Sequence, residues 1–272
     1  MLSPASQRVA MEPALNRVSK VTVDFWLIKL MAVTVGETAA DYLAVNLGYG
    51  LTTTSLFMSA ILIVALVLQF RQKRYVPWAY WLAVVLISVV GTLVTDNLVD
   101  NFGVRLETTT IAFSIALAVT FAVWYASERT LSIHTIFTTR REAFYWLAIL
   151  FTFSLGTAAG DLVAEKFELG YLTTGILFGA IIAAITFAYY VLKLNGILAF
   201  WLAYILTRPL GASFGDLMSQ PVEYGGLGFG TTVTSFIFLG AIVLIVLYMT
   251  LTRSGSDEEE DRHILQPEAE AE

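Results

Sequence analysis

The sequence predicts an all-α polytopic membrane protein: eight transmembrane helices in four parallel two-helix repeats, with pseudo-symmetry about an axis along the membrane normal. Three observations predict it. The 272 residues are 57% hydrophobic and 14% charged, with a mean hydropathy of +0.72, far from the roughly 45–50% and 25% of soluble domains. Eight stretches of about 20 apolar residues lie near 23–43, 52–70, 77–97, 108–127, 143–163, 173–192, 197–218 and 232–252, and in lipid each must be a helix that satisfies its own backbone. A Trp, a Gly ten residues later and an Asp five residues after that recur four times.

Along the chain, residues 1–19 read as a polar cytoplasmic lead. They mix Pro, Arg, Glu and Lys and lack the 7–15-residue apolar core of a cleavable signal, so the first span is expected to direct insertion. Residues 20–253 form the transmembrane domain, with repeats about 23–70, 77–127, 143–192 and 197–252. Residues 254–272, "SGSDEEEDRHILQPEAEAE", hold eight of the 22 acidic residues and one Arg, and read as a disordered acidic cytoplasmic tail. The formal charge of −6 therefore says little about partners. A lipid bilayer and a small ion or solute are the partners the sequence points to; nothing in it suggests nucleic acid, and it is compatible with a homo-oligomer.

The absence of Cys excludes disulfides and thiolate metal sites, and both His residues, His134 and His263, lie in polar stretches. Orientation follows from Lys and Arg. The N-terminus, the connections from even to odd spans and the tail hold twelve of them, whereas the opposite side has only Arg105 and Lys166. That asymmetry puts both termini in the cytoplasm.

The four copies are Trp26/Gly36/Asp41, Trp81/Gly91/Asp96, Trp146/Gly156/Asp161 and Trp201/Gly211/Asp216. A Thr pair follows each: Thr53-Thr54, Thr108-Thr109, Thr173-Thr174 and Thr231-Thr232, the last delayed by three residues in the Gly-rich loop "EYGGLGFG". Each repeat spans the membrane twice, so all copies share one orientation, unlike the inverted repeats of many secondary transporters. Trp is placed as an interfacial anchor, and the Thr pairs as helix N-caps. The Gly allows close helix packing. The four Asp should share one depth, about 22 Å further along than the Trp.

This pattern, with "GETAADYL" at 36–43, resembles a bacterial integral-membrane family built of four tandem copies of a repeat of unknown function, each with two transmembrane segments. The resemblance covers roughly residues 20–252. It implies the architecture and the bacterial inner membrane, and it brings no activity, substrate or site residue.

Seven ionisable candidates lie within the expected spans: Glu37, Asp41, Asp96, Asp161, Asp216, Lys29 and Arg208. Charges there are costly and point to function. Full ionisation leaves a deficit of three positive charges, to be met by protons, bound cations or water. Glu37 occupies a position held by Thr92, Thr157 and Ala212 in the other copies and stacks one turn from Asp41. The two make a proton carrier or a hard-cation ligand pair. Lys29 either balances charge or snorkels to the interface. Arg208, beside Pro209, is expected to pair with a carboxylate or bind an anionic group in a kinked seventh helix.

An enzyme is not expected. "GASFG" at 211–215 matches a serine-hydrolase elbow, but no His falls in any expected span. Four equivalent Asp fit an aspartyl-protease dyad poorly. The expected function is a proton-coupled transporter for a small solute or a hard cation of the Mg²⁺, Mn²⁺ or Na⁺ class, since all-oxygen ligands disfavour copper and zinc. No other cofactor is expected. The alternative is a membrane scaffold or regulator that recruits a partner through its acidic tail.

Overall fold

The computed structural model describes residues 15–252, so the acidic tail lies outside the described residues. Eight long helices follow one another: α1 (Val23–Asp41), α2 (Leu51–Phe70), α3 (Pro77–Asp96), α4 (Leu106–Glu128), α5 (Thr139–Asp161), α6 (Gly170–Tyr190), α7 (Gly196–Ser219) and α8 (Thr231–Thr252). Seven are long and apolar enough to cross a membrane. The exception, α1, carries Asp24, Lys29, Glu37 and Asp41 within 19 residues and sits in the interior, packed on α3, α7 and α8.

Helix starts follow local chemistry. The side chains of Thr22, Thr138 and Asn195 accept hydrogen bonds from the first-turn amides of α1, α5 and α7, while α3 opens on Pro77, whose missing amide leaves one fewer unpartnered donor at the helix start. The Thr pairs are not caps. Gly50 and Arg105 hold the N-cap positions of α2 and α4 without side-chain bonds. Thr54, Thr109 and Thr174 instead turn inward and are buried. In the fourth copy the buried equivalent is Thr234: Thr54, Thr109 and Thr234 are each followed at eight and fifteen residues by buried Leu62/Gln69, Leu117/Trp124 and Ile242/Met249. The last loop has therefore gained five residues rather than three.

Three of the Asp-bearing helices do not stop at Asp. They run on into π-helical turns at Tyr42–Asn46, Asn97–Asn101 and Leu162–Lys166. In the first two copies a left-handed glycine follows, Gly48 (φ 71°) and Gly103 (φ 65°), a conformation glycine adopts without a Cβ clash. The third copy puts Glu168 there at φ 56°.

The helices form two concentric rings. Between 56% and 67% of the apolar window is buried in α3, α5 and α7, against 11–22% in α2, α4, α6 and α8. The inner ring closes in the order α1, α3, α5, α7 and back to α1, and each outer helix packs on the inner helix of the next repeat: α2 on α3, α4 on α5, α6 on α7, α8 on α1. Thr38 and Ser235 hydroxyls, 2.6 Å apart, stitch the final contact.

Repeat glycines make the inner ring possible. A Cβ on Gly36 would lie 1.8 Å from Ser88 Oγ, on Gly91 2.7 Å from Phe153 Cβ, on Gly156 2.3 Å from Arg208 Cγ, and on Gly211 2.5 Å from Val33 Cγ1. Val33, Ser88, Phe153 and Arg208 are one repeat position, seven residues after each Trp. Each glycine thus seats that residue of the neighbouring inner helix around a closed circuit. Hydroxyls reinforce two of the four contacts: Ser154 donates to the Gly91 carbonyl (3.3 Å) and Thr34 to the Gly211 carbonyl (3.2 Å).

At the Trp end the ring is plugged. Trp81, Trp146 and Trp201 are buried rather than lipid-facing, so only the half-buried Trp26 resembles an interfacial anchor. Indole N–H groups donate from Trp81 to Tyr75 Oη (3.1 Å), from Trp146 to Glu142 (3.3 Å) and from Trp201 to the Leu131 carbonyl (2.9 Å). Burial pushes the Tyr75 hydroxyl up to about 12, which keeps it neutral. Residues 16–19, expected within a polar lead, are part of the packed body: Asn16, Val18 and Ser19 are buried. Arg17 pairs with the fully buried Glu142 at 2.9 Å, and Gln69 donates to the same carboxylate at 2.9 Å.

Gly91→Ala should lower stability by about 1–3 kcal/mol through overpacking against Phe153. Gly240→Ala, on α8 with nothing within 4 Å of the added methyl, should not. Thermal melts of the two purified variants check this, and equal melting of both would refute the close-contact account.

Candidate functional site

Counting from each Trp, the residues at +3, +7, +11 and +15 stack as successive levels of the inner ring. The first level is Lys29, Val84, Ile149 and Tyr204; the second is Val33, Ser88, Phe153 and Arg208. Glu37, Thr92, Thr157 and Ala212 make the third, and the four Asp the fourth. The first three levels are dry: every member is buried, and Arg208 has 0% of its surface exposed. All four Asp are half-buried. Charge enters this stack from the Asp end and reaches inward as far as Lys29.

At its centre Arg208 Nη2 lies 3.0 Å from Glu37 Oε2. The same nitrogen donates to Thr157 Oγ1 at 2.8 Å and to Thr92 Oγ1, and Thr92 in turn bonds the Ser88 carbonyl at 3.2 Å. One guanidinium therefore gathers side chains from all four inner helices. Its own helix runs unbroken through Pro209 from Gly196 to Ser219, with Pro209 seated against Gly156 and Gly160 of α5.

Lys29 does not snorkel. It is 1% exposed, and its Nζ sits 4.2 Å from the ring centres of both Phe153 and Tyr204. Arg208 Cζ approaches Phe153 at 5.6 Å. The two cations thus share one aromatic ring, an arrangement that recovers part of their desolvation cost.

Asp96 lies within electrostatic reach of Glu37, Asp41, Asp161 and Asp100. Asp216 belongs to the copy without a π turn, in which α7 ends at Ser219 and the chain leaves through an extended Gln220. Asn97, next to Asp96, reaches α2: Thr52 donates to its Oδ1 (3.0 Å), and its Nδ2 donates to Ser55 Oγ (2.5 Å) and to the Leu93 carbonyl (3.0 Å). Arg105 (3.2 Å) and Lys166, the two basic residues beyond the Asp level, both bond Glu107.

Among the described residues no group of three or more His, Cys, Asp or Glu is arranged to hold a metal ion. Glu37, one of the carboxylates expected to hold a hard cation, is engaged by Arg208.

A family model described as Repeat of Unknown Function (DUF347) matches four times, over residues 25–75, 79–130, 144–195 and 199–254. The chain belongs to this family. No curated protein and no solved structure matches it. Each DUF347 repeat contributes one inner and one outer helix, and the inner helix brings one residue to every level of the axis. The repeats differ where it matters chemically: Lys29, Arg208 and Glu37 each replace an uncharged residue found in the other three copies.

Several residues of the site carried no strong sequence signal. Phe153 and Tyr204 read as ordinary span residues. Thr92 and Thr157 were visible only as counterparts of Glu37 when the DUF347 copies are aligned. Glu142 and Gln69 lie on helices whose buried faces depend on the tertiary packing.

Arg208→Met should cost about 3–5 kcal/mol, because it strands a buried carboxylate. Glu37→Leu combined with Arg208→Met should restore much of that loss. Denaturant unfolding of the two single variants and the double variant measures the coupling, and simple additivity would mean that the pair does not exist.

Proposed function

We propose that the chain is a proton-coupled membrane transporter, with the Glu37–Arg208 pair as its proton-operated switch. A buried ion pair at the meeting point of four helices carries the reading. Such a pair contributes little to stability over an apolar packing, yet it joins helices that must separate for anything to pass. A proton on Glu37 removes the charge that Arg208 answers and loosens that junction. Asp41, Asp96 and Asp161 form the acidic mouth that collects the proton or a hard cation of the Mg²⁺, Mn²⁺ or Na⁺ class; Asp216 completes the level, and Lys29 and Arg208 balance its charge.

The Trp plug and the tight glycine contacts support a closed state. By the distribution of Lys and Arg, the plugged end faces the cytoplasm, with both termini on that side of a bacterial inner membrane, and the acidic mouth faces outward.

Reconstituted into vesicles with a pH-sensitive dye inside, the protein should move protons together with Mn²⁺ or a small solute. Glu37→Gln and Asp41→Asn should reduce coupled flux to background. Equal flux through the wild type and the Glu37→Gln variant would end this reading.

A further inference from the structure

The two levels nearest the Trp plug hold more positive charge and more donors than their surroundings answer. Lys29 and Arg208 face one carboxylate, Glu37, and Glu37 lies eight residues from Lys29 along α1, about 12 Å. Lys29 Nζ, Arg208 Nε, Arg208 Nη1, Tyr204 Oη and Ser88 Oγ have no hydrogen-bond partner among the described residues. All five can donate, and all belong to residues no more than 1% exposed. Unpaired buried donors are rare because each forfeits its full solvation. Five of them lie on two adjacent levels without an acceptor, and the two charged groups both approach the ring of Phe153, Lys29 Nζ at 4.2 Å and Arg208 Cζ at 5.6 Å from its centre.

We infer that these levels bind a small monovalent anion, held between the Lys29 ammonium and the free nitrogens of Arg208, with the Tyr204 and Ser88 hydroxyls as further donors. One net charge is what the dry levels need. Small size follows from glycine-seated helices that leave inner side chains in contact. The walls are the rings of Phe153 and Tyr204, so an anion that gives up its water at low cost, such as nitrate, fits better than a strongly hydrated one.

Glu37 and the anion use different nitrogens of one guanidinium. Neutralising Glu37 removes the charge that Nη2 faces while Nη2 keeps its bonds to Thr92 and Thr157, so a proton on Glu37 and the anion would travel as an electrically neutral pair. That step rests on the transport reading; the binding site itself does not.

Calorimetric titration of the purified full-length protein in detergent with sodium nitrate, against sodium gluconate at equal ionic strength, tests the site. Saturable binding of nitrate is expected in the wild type, weakened about tenfold or more in Lys29→Met, which removes one charged donor. Should Lys29→Met fail to fold, Tyr204→Phe removes only a hydroxyl and should weaken binding about two- to tenfold. No saturable nitrate binding by the wild type would overturn the inference and leave the five donors to water. Unchanged affinity in whichever of the two variants folds would also overturn it. Nitrate binding without coupled flux defeats the transport reading alone, and flux without nitrate binding defeats the anion site alone.

Discussion

A guanidinium keeps its charge at any physiological pH, and Arg208 holds that charge where none of its surface meets solvent. Burying it alone would be prohibitive, so the helices around it are arranged to answer it. Glu37 comes from α1, Thr92 from α3 and Thr157 from α5. Those three helices and α7 must therefore meet at one level. Arg208 can reach that level only because position 156 on α5 is glycine, whose missing Cβ leaves room for the arginine's own stem. The same glycine recurs in each inner helix, so the room made for one arginine is one quarter of a closed ring.

In lipid, helix association draws little from the hydrophobic effect and depends on close contact and buried polar bonds. The ring supplies both, through glycine seats and through hydroxyls that donate to the carbonyls of Gly91 and Gly211. Because each outer helix leans on the inner helix of the next repeat, no repeat is complete alone. Closure falls to α8 against α1 and, at the Trp end, to Arg17 and Gln69 gripping Glu142. This interlocking lets α1 carry four charged residues in 19 and still sit inside: its neighbours cover it.

Much of the architecture was legible because it is repeated. Four copies of Trp, Gly and Asp in register set the helix count and the common direction of the repeats, and the glycines announced close packing. The meaning of Trp was not legible. An aromatic near a span end reads as an interfacial anchor, and only the ring geometry shows that three of the four fill its interior. The Thr pairs misled for a similar reason, since a hydroxyl at a helix start resembles a cap until the left-handed glycines are seen to shape the turn. Arg208 was readable as a partner for some carboxylate, but which one depends on Glu37 and Arg208 facing each other across the α1–α7 contact, 171 residues apart in sequence. Lys29 could not be placed from sequence at all, because its ammonium is met by aromatic faces rather than by an opposite charge.

An electron cryomicroscopy structure of the full chain in lipid nanodiscs, at side-chain resolution, tests the central claim most directly. The account predicts a closed inner ring with each repeat glycine against the neighbouring inner helix and Arg208 in ion-pair contact with Glu37 on the axis. Arg208 turned outward to lipid, or Glu37 and Arg208 separated by intervening side chains in a closed ring, would contradict it.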